Sequence, residues 1–315
     1  MGRIGVRWAV LAVGVAVVLA GTVAVFARDD DGATTEGGCE AARRAPVEPG
    51  AQTLRYGGRD RDYRLALPEG SGDRSGHPLV LNLHGFSSNM DKHDANASVG
   101  AEGAARGYIV VTPQALGLPR RWNIAAAEDQ PDDFGFLHAL VADLSGRLCV
   151  DPHRVYAAGV SNGAAAAAQL VCQPPYSFAA VAMVSATVPA ECPPEHPVSV
   201  LAIHGTADPQ VPYNGGKVGG EGLTVPPAPK VVEWYAQRYG CATPPVRDEP
   251  VPGVQRVRHA GCRGGEEVVL DTVVGGRHEW PGSKAALGDS AVTGAGKTFS
   301  ATTAILDFFD THPAR

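Results

Sequence analysis

The sequence predicts an α/β fold, with a mostly parallel central sheet covered by helices on both faces. Three observations carry it. Short apolar runs such as 79–83 and 108–111 recur along the chain, and their composition suits strands buried on both faces of a parallel sheet. Segments with apolar residues three and four positions apart stand between those runs, as amphipathic helices require. The connections are short, and elements that alternate in this way build a sheet with helices on both sides. With 315 residues, 44% hydrophobic and 19% charged, the chain is long enough to bury one large core of this kind.

Taken in order, the chain opens with Arg3 and Arg7 ahead of an uncharged stretch over residues 8–26, closed by Arg28-Asp29-Asp30-Asp31. That pattern is an export signal. Its length leaves a cleaved signal peptide and a retained N-terminal membrane anchor over 1–27 both open. Positive charge before the span and acidic charge after it put the rest of the chain outside the cytoplasm in either case, extracellular or at the cell envelope. Residues 28–50 are polar and rich in Gly, Pro and small side chains, and read as a flexible linker. The folded domain occupies 51–315.

Residues 63–67 alternate as a half-buried edge strand would, whereas 79–83 and 108–111 are core strands. One short helix is expected over 94–106. A second begins at Asp132, which can cap it, and carries apolar side chains at helical spacing as far as Leu144. Residues 154–158 form a strand, and five alanines, Ala164 to Ala168, open a helix whose small side chains let it pack close to a sheet. Further strands are expected at 178–184 and 198–203, then a helix over 229–239, a run over 267–274 and a closing helix over 302–310. Stretches 214–227 and 282–296 are rich in Gly and read as loops.

Composition excludes two classes of partner. A net charge of -6 without a long Lys/Arg block gives no electrostatic footprint for nucleic acid. The ten histidines show no His-x-x-x-His spacing, so no metal is expected, and no other cofactor is called for. Six cysteines, Cys39, Cys149, Cys172, Cys192, Cys241 and Cys262, lie in the exported part, where an even number favours disulfides. The simplest pairing closes the short loops Cys172 with Cys192 and Cys241 with Cys262, leaving Cys39 for Cys149.

Chemistry concentrates around Gly159-Val160-Ser161-Asn162-Gly163, between the strand at 154–158 and the alanine-rich helix. Gly-x-Ser-x-Gly in that setting is a nucleophile elbow: the serine occupies a strained turn, and its neighbours two positions either side must be small. A serine hydroxyl needs an imidazole to take its proton and a carboxylate to orient that imidazole. Asp208 lies in His204-Gly205-Thr206-Ala207-Asp208-Pro209-Gln210-Val211-Pro212-Tyr213, and His278 in Gly275-Gly276-Arg277-His278-Glu279-Trp280-Pro281-Gly282. Each follows a predicted strand directly, at the sheet edge where the elbow also opens. His204 is read as packing beneath the site, with Asp271 and Asp133 as competing carboxylates. Two oxyanion donors are expected: the Asn162 amide, and an amide of Leu83-His84-Gly85-Phe86-Ser87, assigned to Phe86 with Ser87 as the fallback. The chain order Ser, Asp, His is the one found in α/β-hydrolases.

Through these motifs, together with residues 63–68 and Asp132-Asp133-Phe134-Gly135-Phe136-Leu137, the chain resembles a group of secreted single-domain esterases. These are the esterases related to polyhydroxybutyrate depolymerases and to feruloyl and acetylxylan esterases, and the likeness runs over residues 50–312. It implies an α/β-hydrolase catalytic domain over 51–315, no metal, and Ser161, Asp208 and His278 as the triad. It also implies that Trp122 and Asp133 lie near the substrate pocket. Trp122 and Trp280 are each open to two readings, pocket contact or packing. The chain departs from the family at Phe86, where Cys is frequent, and at Arg277 and Glu279, where Gly and Thr are common. Those two charges would lie at the pocket edge.

The expected function is an exported serine carboxylesterase using an acyl-enzyme intermediate. Its expected partner is an ester substrate: a feruloyl or acetyl ester of polysaccharide, a hydroxyalkanoate oligomer, or a small acyl or aryl ester. A monomer is expected, held at a membrane through residues 8–26 if the anchor is retained. A serine peptidase with the same triad and a catalytically silent binding protein on the same scaffold are the alternatives.

Overall fold

A hairpin of β1 (Gly50–Tyr56) and β2 (Arg59–Ala66) opens the folded chain and leads into β3 (His77–Leu83). Then come α1 (Met90–Ala97), α2 (Val99–Ala105), β4 (Ile109–Pro113), α3 (Asp133–Arg147), β5 (Val150–Val160), α4 (Asn162–Leu170), β6 (Ala180–Val184) and β7 (Ser199–Gly205). The short pair β8 (Gly216–Lys217) and β9 (Thr224–Val225) precedes α5 (Ala228–Tyr239), β10 (Val246–Val251), β11 (Val254–His259), β12 (Val268–Val273) and α6 (Ala301–Asp310). The computed structural model describes residues 47–70, 76–175, 177–220, 222–283 and 293–314. The predicted export segment, most of the predicted linker and Cys39 lie outside them. Among the described residues, no helix is long and apolar enough to cross a membrane.

Ten strands form one sheet in the order β1-β2-β4-β3-β5-β6-β7-β12-β11-β10. The six central strands, β4 to β12, are parallel, and an antiparallel pair extends the sheet at each end. Alternation along β3 shows how the two faces are used: Leu79, Leu81 and Leu83 join the core under α3, α4 and α5, while Val80 joins the core under α2 and α6. Each such side chain, fully buried, contributes about 1.5–3 kcal/mol of transfer free energy. Ala164 to Ala168 of α4 are all buried against the sheet, as their size allows.

The sheet is wider than the apolar runs announce. Residues 63–67 belong to the second strand, and the edge is β1, which extends the folded chain into the predicted linker at Gly50; Val47 packs on the core as well. Polar residues Gln52, Thr53 and Arg55 hide β1 from a hydrophobicity reading, yet Gly57 and Gly58, with φ of 55° and 76°, fold it back onto β2. At the other edge, β10 carries Arg247, Asp248, Glu249 and Pro250, side chains that suit an exposed outermost strand and leave no apolar run to find. The single helix expected over 94–106 is two, broken at Ser98, whose φ of 58° is left-handed. Cys172 is bonded to Cys192 and Cys241 to Cys262, the two short pairings expected.

Candidate active site

Parallel register brings four loops to one edge of the sheet. Leu83 of β3 pairs with Gly159 of β5, Gly159 with Met183 of β6, and Val273 of β12 with Gly205 of β7. The segments after β3, β5, β7 and β12 therefore leave the sheet together, and they carry Phe86, Ser161, Asp208 and His278. Ser161 holds φ 57° and ψ -121° between β5 and α4, a conformation that costs an L residue about 1–3 kcal/mol. A Cβ on Gly159 would stand 2.4 Å from the Gly163 backbone, and one on Gly163 2.3 Å from the Leu83 carbonyl oxygen. Both glycines are thus demanded by backbone contact.

The three predicted residues meet. His278 Nδ1 donates to Asp208 Oδ2 at 2.8 Å, which leaves Nε2 as the acceptor facing Ser161 Oγ at 2.9 Å. Asp208 Oδ1 accepts the Gln210 and Val211 N–H groups at 2.8 and 2.9 Å. Burial alone would raise the Asp208 carboxyl, but hydrogen bonds from His204 and His278 outweigh it and hold the group well below the usual carboxylate range. His204 is buried, as expected, and its Nε2 lies 3.4 Å from Asp208 Oδ2. Asp271, a competing carboxylate, is held by Arg256 through two contacts of 2.7 Å and takes no part.

Several polar atoms of the loop after β3 are held by hydrogen bonds. The His84 carbonyl accepts the Trp122 indole N–H at 2.8 Å, and the Gly85 carbonyl accepts His84 Nδ1–H at 2.8 Å. His84 Nε2 accepts the Ala115 N–H at 3.0 Å, so the tautomer is determined; burial pushes this imidazole down to about 4, and it stays neutral near pH 7. The Ser87 N–H donates to the Arg120 carbonyl at 2.8 Å, which removes the fallback donor. The Phe86 N–H has no hydrogen bond among the described residues. The Asn162 N–H, first in α4, has no partner within its helix either. Two amides beside Ser161 are thus available to a developing oxyanion.

Three residues expected at the pocket are elsewhere in role. Trp122 is 1% exposed and lies under the His84 loop, its ring centroid 5.2 Å from that of His84. Asp133 is buried in an ion pair with Arg61 at 2.6 Å and accepts the Asn123 N–H at 2.8 Å; burial raises its carboxyl against the pull of both partners. Trp280 has no exposed surface: it packs on the α6 face against His93 and donates to Thr302 Oγ1 at 2.9 Å. None of the three has a face to offer a substrate. Glu279 is buried too, its carboxylate accepting the Thr293 N–H at 3.0 Å, so of the two unusual charges only Arg277 is exposed. The supporting roles of His84 and Trp122 lacked any sequence signal beyond the motif around His84, because their partners are distant in the chain.

The family model described as Esterase PHB depolymerase matches residues 61–203. The chain is 33% identical over 301 residues to "Putative esterase NocK" of Nocardia uniformis subsp. tsuyamanensis, covering 84% of each chain. It is 29% identical over 230 residues to Feruloyl esterase B of Piromyces equi, covering 69% of this chain and 42% of that protein. Feruloyl esterase C of Emericella nidulans is 31% identical over 162 residues, 50% of this chain and 58% of its own length. The acetyl xylan esterase from Aspergillus awamori superposes with a TM-score of 0.55 at 12% identity, over 83% of this chain and 99% of that one. The fold is the α/β-hydrolase fold.

Proposed function

The chain belongs to the esterase PHB depolymerase family, and from that premise we propose that it is an exported serine carboxylesterase working through an acyl-enzyme. One observation carries the reading: an unbroken hydrogen-bonded line from Ser161 Oγ through His278 to Asp208, at 2.9 and 2.8 Å. Ser161 Oγ attacks the ester carbonyl while His278 Nε2 takes its proton. The negative oxygen that forms is met by the Asn162 and Phe86 N–H groups, each such donor worth about 3–4 kcal/mol of barrier. His278 returns the proton to the leaving alcohol, and water then releases the acid by the same steps in reverse order. Asp208 keeps the imidazole in the tautomer that the first step needs.

Feruloyl and acetyl esters on polysaccharide are the substrates the reading favours, on the names of the relatives and on Phe86. That side chain is 55% exposed on the oxyanion loop and offers an apolar face to an aromatic or short acyl group. Export rests on residues 1–27 of the sequence, and the two disulfides fit an oxidising compartment. The test is hydrolysis of feruloyl, acetyl and hydroxybutyrate esters by the parent and by Ser161→Ala, with fluorophosphonate labelling of both. Parent turnover that drops by about 10⁴-fold or more in the variant, with labelling lost, is expected. Retained turnover in Ser161→Ala would overturn the assignment, and cleavage of peptides in preference to esters would make the chain a peptidase.

A further inference from the structure

We propose that Val184-Ser185-Ala186-Thr187, the last residue of β6 and the three that follow it, is a positioning element that holds all three members of the triad; this rests on the triad reading above. The segment touches each member's support by a separate hydrogen bond. Val184, the last residue of β6, accepts the Ser161 N–H at 2.9 Å. Ser185 Oγ donates to the Glu279 carbonyl at 2.6 Å and accepts the Glu279 N–H at 3.2 Å, so one hydroxyl clamps both backbone groups of the residue after His278. Thr187 Oγ1 lies 3.1 Å from His204 Nδ1, while His204 Nε2 donates to the Val211 carbonyl at 2.9 Å. The carbonyl can only accept, so in the neutral ring Nδ1 accepts from the Thr187 hydroxyl. That tautomer turns an N–H toward Asp208 Oδ2, 3.4 Å away.

Burial and backbone geometry both mark the segment. Ser185 and Thr187 are each 2% exposed, so water cannot replace a hydroxyl that is removed, and the groups it served would stay unpaired. Ser185 has a φ of 53°, in the left-handed region, and its N–H donates to the Ile203 carbonyl at 2.9 Å, which anchors the turn to β7. Strain of this kind persists only where the surroundings over-determine it. The loops bearing Asp208 and His278 leave the adjacent strands β7 and β12, and β6 is the next strand over. A short turn at its end is therefore within reach of both. Reaction rates respond steeply to such support, since a displacement of about 1 Å costs about 100-fold.

The test compares the parent with Ser185→Ala, Thr187→Val and the hydroxyl-retaining Thr187→Ser on an activated aryl ester. We expect kcat to fall about 10- to 100-fold in the first two with KM within about twofold, and Thr187→Ser to stay within about threefold of the parent. The downfield proton resonance of the His278–Asp208 hydrogen bond, read without substrate, should shift or broaden in Ser185→Ala and Thr187→Val while the bulk of the spectrum stays folded. An unshifted resonance with unchanged kcat in both variants overturns the proposal, as does equal loss in Thr187→Ser and Thr187→Val. A parent inert toward every ester and toward fluorophosphonate would sink the esterase reading instead, and the resonance would still decide this one.

Discussion

The side-chain amide of Asn162 is closed onto the backbone of Trp122: Oδ1 accepts the Trp122 N–H at 2.7 Å, and Nδ2 donates to the Trp122 carbonyl at 3.3 Å. The residue whose own N–H is the first proposed oxyanion donor thus also ties down the tryptophan that supports the second donor's loop. Asn162→Ala keeps the backbone donor and releases the tie. We expect kcat/KM for an aryl ester to fall about tenfold, a loss of about 1.4 kcal/mol and in the range of a partly buried hydrogen bond. Asn162→Asp should fall further, because it loses the donor and sets a carboxylate beside the oxyanion; steady-state kinetics of both variants check the order.

Asp208 makes stability depend on pH in a stated direction. Against the upward push of burial, the His204 and His278 hydrogen bonds depress its folded-state pKa. The unfolded chain then binds the proton first, so the contribution is present above about pH 4 and is lost as pH falls through the lower folded value. Asp208→Asn should therefore lose less stability between pH 6 and pH 3 than the parent, as read from urea midpoints, while its kcat drops about 10⁴-fold. Equal pH slopes in the two proteins would count against the paired carboxylate.

Arg61 and Asp133 form an ion pair with both side chains almost wholly buried. Removing one partner leaves an uncompensated buried charge, so Arg61→Met should cost about 3–5 kcal/mol in denaturant unfolding. Because Asp133 holds Arg61 and the Asn123 N–H, Asp133→Asn should lower stability and leave KM unchanged. A raised KM at full stability would return Asp133 to the substrate pocket.

Phe86 contributes an amide to the proposed oxyanion hole and, separately, an exposed ring. Phe86→Ala retains the amide and deletes the ring. KM for a feruloyl ester should rise severalfold with kcat changed by less than about threefold, and an acetyl ester should be affected less. A large kcat loss on both esters would show instead that the ring holds the loop in place.

Local chemistry made much of this legible in the sequence. The elbow is a local demand: the clash distances at Gly159 and Gly163 are fixed by one turn of backbone, so only glycine serves and the pattern can be read directly. The core strands were legible because burial on both faces makes their runs mostly apolar, with isolated exceptions such as Asn82 of β3 and Asp271 of β12. The edge strands β1 and β10 were not, because solvent takes one side of them and their charges say nothing about pairing. Trp122 and Asp133, placed near the pocket by resemblance, and Trp280, left between pocket contact and packing, needed their distant partners His84, Arg61 and Thr302 to be seen before their roles could be read.

By itself the sequence determined the fold class and the order of Ser161, Asp208 and His278 on strand-terminal loops, since each follows from short-range pattern and chain order, whereas the two short disulfides were only the simplest of the possible pairings until the structure joined them. Only the tertiary structure decided between the two candidate amides of the β3 loop, through an Arg120 carbonyl that captures Ser87 and leaves Phe86 unbonded. It alone decided that Ser185 and Thr187 lie behind the triad. Hydrogen bonds between segments distant in sequence carry no signature in either segment, because a buried serine beside its partner is the same letter as a serine in a turn.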